Sequence, residues 1–69
     1  MKNARYLFGR RVRQIRLQWD YTQQELADRC GLDRTYIGGV ERGERNISLI
    51  NICKIAKALN TSPKNLLDF

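Results

Sequence analysis

The chain has 69 residues, with thirteen Lys+Arg against seven Asp+Glu for a net charge of +6, and an isoelectric point near 9.9. This length excludes a catalytic barrel or a nucleotide-binding α/β sheet, and the isoelectric point lies above the value of about 9 that marks a nucleic-acid footprint. Two cysteines, Cys30 and Cys53, and no histidine exclude ordinary zinc-finger ligation and any histidine base, so no cofactor, metal or catalytic residue is expected.

The basic residues are gathered at the start: Lys2, Arg5, Arg10, Arg11, Arg13 and Arg16 precede the first acid, Asp20. A solvated helix face is the plain reading. A membrane-surface helix is the other, and it is disfavoured because Leu7, Phe8, Val12 and Ile15 are few and needed for a core. Arginines interrupt the apolar pairs of residues 1–20, and no apolar run approaches the ~18 residues of a membrane span. The expectation is a cytoplasmic protein with no membrane contact.

Phe8, Val12, Ile15 and Trp19 recur at spacings of four, three and four, which predicts a first helix over Ala4 to Gln18 with one inner stripe. Thr22-Gln-Gln-Glu25 reads as a capping box opening a second helix, with Leu26, Ala27 and Cys30 inward and Gly31 as its stop. Asp33 is a natural N-cap for a third helix that buries Ile37 and Val40 and stops at Gly43. Ser48 caps a fourth helix, rich in Leu49, Ile50, Ile52, Cys53, Ile55, Ala56 and Leu59 and ended by Asn60. Its polar stripe is only Asn51, Lys54 and Lys57. Ser62 caps a last short helix with Pro63 in its first turn, carrying Leu66 and Leu67, with Phe69 beyond. The predicted architecture is an all-α, five-helix single domain over residues 1–69. Both cysteines read as small core hydrophobes, and Trp19 and Tyr21 as core closure between the first two helices.

A three-residue turn, Gly31-Leu32-Asp33, separates the second and third helices, as in a helix-turn-helix over about residues 22–42. The run TQQELADRCGLDRTYIGGVERGERNISL, Thr22 to Leu49, closely resembles the Xre/Cro-like branch of the lambda-repressor-like helix-turn-helix family. Within it, LDRTYI followed by VERGERNISL is most similar to the controller proteins of restriction–modification systems.

The third helix, read as the recognition helix, predicts an outward face of Asp33, Arg34, Thr35, Gly38 and Gly39. Arg34 suits a bidentate pair to a guanine edge and Thr35 a thymine or mixed contact. Asp33 is either a cap or a base contact. Gly38 and Gly39 read either as a structural need or, equally, as a close approach to the DNA backbone. Arg42, Arg45 and Asn46 flank the helix exit, placed to grip phosphates, while Tyr36 is open between packing and a hydroxyl–phosphate bond. The resemblance implies a phosphate contact for Gln23, in a first turn whose amides suit an anion. It also implies a buried ion pair between Arg16 and Glu41.

The fourth helix is more apolar than one core requires, which predicts a homodimer through Ile47, Ile52, Ile55, Leu59, Leu66, Leu67 and Phe69. A two-fold dimer implies a double-stranded DNA operator with inverted half-sites. The controller resemblance implies activation at one occupancy and repression at the next, with RNA polymerase as a further partner. A phage-type repressor, or the antitoxin of a toxin–antitoxin pair, is the alternative.

Overall fold

The computed structural model describes residues 3–69, so Lys2 of the basic run lies outside the described residues. Five helices follow in order: α1 (Ala4–Gln18), α2 (Gln23–Cys30), α3 (Arg34–Glu41), α4 (Leu49–Ala58) and α5 (Pro63–Leu66). No strand occurs among the described residues, and none of these helices is long and apolar enough to cross a membrane.

Local side chains start most of them. Asn3 Oδ1 accepts from the Tyr6 amide at 2.9 Å, Ser48 Oγ from Asn51 at 3.2 Å and Ser62 Oγ from Asn65 at 3.0 Å. Thr22 and Glu25 close a reciprocal box, at 3.0 Å to the Glu25 amide and 2.8 Å to the Thr22 amide. The Thr22 amide and hydroxyl thereby hold the Glu25 carboxyl below the usual carboxylate range. Such caps are worth about 1 kcal/mol each. Asp33 departs from the pattern: it occupies the N-cap position of α3, yet its carboxylate makes no capping bond.

The core is continuous, built from Phe8, Val12 and Ile15 of α1, Leu26, Ala27 and Cys30 of α2, Ile37 and Val40 of α3, Ile52, Ile55, Ala56 and Leu59 from α4 and its end, and Leu66 of α5. Helices α1 and α3 meet backbone to backbone, since a Cβ on Gly9 would collide with the carbonyl oxygens of Val40 and Glu41. Gly31 adopts φ +70° and closes α2 as expected. At the other end of the fold, Arg11 donates through Nη2 to Asn65 Oδ1 at 2.7 Å and through Nε to Asn65 O at 3.1 Å, clasping α5 to α1.

Three expectations are corrected. Trp19 is not a core residue: 46 % exposed, it sits past the end of α1, stacked on Tyr21, and its indole N–H ties down Leu59 O at 2.9 Å. Cys53 is exposed, whereas Cys30 is buried and burial pushes its thiol up to about 11. The predicted dimer surface is largely the core itself. Ile52, Ile55, Leu59 and Leu66 are at most 7 % exposed, so they have no surface left for a partner. The outward apolar residues of α4 are instead Leu49 and Ile50, 78 % and 70 % exposed. Ile47 is half-buried against the core, and Leu67 and Phe69 remain exposed at the chain end.

Candidate nucleic-acid interface

The orientation of α3 is set by a buried polar corner where α1, α2 and α3 converge. Arg16 donates from Nε to Glu41 Oε2 at 2.6 Å and from Nη2 to Glu41 Oε1 at 3.0 Å. Its third arm, Nη1, reaches the Tyr21 carbonyl at 2.7 Å, and Gln23 Nε2 adds a bond to Glu41 Oε1 at 3.1 Å. Every polar atom buried at this corner therefore has a partner. A fully satisfied bidentate pair in a buried site holds one geometry, because any displacement leaves a charge without its partner. Arg16 is thus structural, and the side-chain amide of Gln23 points inward onto Glu41 while its backbone starts α2.

From that anchor α3 runs back to a first turn where Asp33, Arg34 and Thr35 stand exposed side by side. With its capping bond absent, the Asp33 carboxylate is on the same open surface. Tyr36 is half-buried, and its hydroxyl accepts from Asn51 Nδ2 at 3.1 Å. The Arg45 guanidinium lies over its ring, 5.4 Å from the centroid. Tyr36 therefore packs, with its hydroxyl oriented by α4.

Gly38 and Gly39 are not the bare outward backbone that was expected: both are buried. A Cβ at Gly38 would stand 3.1 Å from Arg42 Nη1 and 3.6 Å from Gln23 Oε1, and one at Gly39 3.0 Å from Arg45 Nε. These glycines are roofed by the arginine side chains that follow α3. The chain reverses there because the Glu44 amide bonds back to Gly39 O at 2.9 Å, with Gly43 at φ +77°. The reversal lays Arg45 along the helix it has just left. Arg42 in turn is paired with Glu44 at 3.0 Å on an exposed surface, and that bond raises the basicity of its guanidinium. Asn46 is exposed beyond the turn and joins neither group.

The structure therefore forms two clusters around α3: Gln23, Gly38 and Arg42 on one side, and Tyr36, Gly39 and Arg45 on the other. The contributions of Asn51 and Glu44 were missed by sequence reasoning. Asn51 belongs to another helix, whereas Glu44, two residues after Arg42, carried a local signal. No group of three or more His, Cys, Asp or Glu placed to hold a metal occurs among the described residues.

The helix-turn-helix family matches residues 12–66. Control protein C.BamHI of Bacillus amyloliquefaciens is 59% identical over 68 residues, covering 97% of this chain and 84% of that protein. The crystal structure of the restriction-modification controller protein C.AhdI from Aeromonas hydrophila superposes with a TM-score of 0.87 at 51% identity, covering 88% of this chain and 92% of that one. SinR, the master regulator for biofilm formation, solved in complex with DNA, superposes with a TM-score of 0.84 at 32% identity over 88% of this chain and 98% of its own.

Proposed function

The chain belongs to the Xre-like helix-turn-helix family of DNA-binding transcriptional regulators, and from that membership we propose that it is the controller of a restriction–modification system. The observation that carries this reading is the first turn of α3, where Arg34 and Thr35 are exposed together on a helix fixed from its far end. Arg34 reads a guanine edge with its two-pronged donor, Thr35 contacts a neighbouring base, and Asp33, free of capping duty, takes an amino-group donor such as that of cytosine. Arg42, Arg45 and Asn46 position the protein on phosphates, joined by Gln23 through the opening backbone amides of α2 and by Tyr36 through the hydrogen of its hydroxyl. The Arg42–Glu44 pair is no obstacle, since an exposed pair is worth only about 0–1 kcal/mol.

One protomer presents one recognition helix. Reading two inverted half-sites takes a homodimer, which the exposed Leu49 and Ile50, with Leu67 and Phe69, are suited to form. The dimer works in the cytoplasm on operators upstream of its own gene and of the endonuclease gene. It recruits RNA polymerase at one occupancy, represses at the next, and catalyses no reaction.

Footprinting on the DNA upstream of the gene tests the proposal. The expected protection is a pair of inverted half-sites with centres about one helical turn, roughly 34 Å, apart. A single asymmetric site, direct repeats, or no preference over random DNA overturns it.

A further inference from the structure

Folding divides the basic run at the start of the chain. Arg16 is taken up by the Glu41 pair and Arg11 by the clasp on Asn65. Arg10 and Arg13 are exposed, and among the described residues no hydrogen bond or ion pair engages either. Both nevertheless line one cleft of about 330 Å³, shared with Tyr6, Gln23, Glu41 and Arg42. Its single carboxylate, Glu41, is already engaged by Arg16 and Gln23. Arg10 and Arg13 thus face one concavity with no carboxylate of their own, beside an Arg42 that Glu44 pairs from outside the cleft lining. The opening amides of α2 add the positive end of a helix dipole at Gln23. Gathered like charges of this kind repel one another until an anion enters between them.

We infer that this cleft grips a phosphodiester of the bound duplex, with Arg10 and Arg13 as phosphate-binding residues that bring α1 into the DNA interface. The inference rests on the DNA-binding reading above and deepens it. The cleft is far larger than the ~30 Å³ that one water occupies, so a phosphate with bridging waters fits. Guanidinium forks match phosphate oxygens. Continuity decides in favour of DNA over a free anion, because Gln23 and Arg42 wall the cleft and also cover Gly38 of the recognition helix. A strand held at the start of α2 and by Arg42 passes directly in front of Arg10 and Arg13.

The test compares salt dependences on the upstream DNA and on a random duplex of equal length. The double variant R10Q/R13Q removes two charges from the cleft. The control R5Q/K64Q removes two exposed charges that line no part of it. R10K/R13K restores the charge without the fork, and thermal unfolding verifies that each variant is folded. The slope of log affinity against log salt is expected to become shallower by roughly two units per bound protomer in R10Q/R13Q on both duplexes. It should stay near wild type in the control and in R10K/R13K. Equal slopes for the two glutamine variants overturn the inference while leaving the regulator intact. Wild-type protein that binds neither duplex overturns the regulatory reading and the inference with it. If inorganic phosphate at constant ionic strength shifts the Arg10 and Arg13 side-chain NMR signals while all DNA slopes agree, the cleft is a small-anion site and the inference fails.

Discussion

Arg34 and Arg45 carry the same charge to different parts of the proposed complex, and their removal has different consequences. Arg34 stands exposed in the first turn of α3, where, in the proposed reading, its fork faces base edges. Arg34→Ala is expected to cost about 1–3 kcal/mol per half-site on the operator and much less on random DNA. Arg45 lies along the outside of the helix, over Tyr36. Arg45→Ala should weaken both duplexes alike and reduce the salt slope by about one unit per bound protomer. Titrating the two variants against both duplexes checks this, and an unchanged operator-to-random ratio for Arg34→Ala refutes the recognition-helix assignment. Glu41 belongs to stability instead. Glu41→Gln leaves the buried Arg16 without its counter-ion and should cost roughly 3–5 kcal/mol in urea unfolding, a large share of the ~5–15 kcal/mol available to a folded domain. Asp33 shows where reading single residues stops. Its type and position specify a cap, but an N-cap residue can leave its carboxylate turned to solvent, and only the folded geometry distinguishes the two.

The helix starts were legible because they are local: Thr22 and Glu25 lie three residues apart, and the same spacing links Ser48 to Asn51 and Ser62 to Asn65. The facing of α4 was not. Its apolar residues surround most of the helix, so no single stripe says which of Ile50 and Ile52 turns inward, and packing against α2 and α5 decides it. The glycine pair of α3 misled for a related reason, since the side chains that cover it come from Gln23 on α2 and from a chain reversal after the helix. A direct test follows. Gly39→Ala should gain about 0.5–1 kcal/mol of helix stability, because the atoms it meets belong to the exposed side chain of Arg45 and not to backbone. The same methyl displaces Arg45 from Tyr36 and should weaken DNA binding. Melting and binding measured on one variant should therefore move in opposite directions, and a lower melting temperature contradicts this account of the glycine.

Assembly and folding draw on separate apolar sets. Leu49→Ser with Ile50→Ser changes residues that are mostly in water, so each should alter stability by no more than about 0.5 kcal/mol, while converting the proposed dimer to monomer in sedimentation at micromolar concentration. Ile55→Ala, in the core, should instead cost about 2–5 kcal/mol. Unfolding by the serine pair, or a dimer that survives it, refutes the assignment of that face. A comparable separation divides α3, an eight-residue helix with its proposed reading side chains in the first turn and its anchoring carboxylate in the last. Arg34 and Thr35 are exposed and make no side-chain hydrogen bond or ion pair that holds the fold, whereas Glu41 is buried on Arg16 and Gln23. A descendant of this chain can therefore exchange a reading side chain through a single codon and acquire a new target sequence on an unaltered chassis. Divergence of operator preference is then free to proceed at nearly constant stability, with neighbouring lineages becoming mutually deaf to one another's promoters.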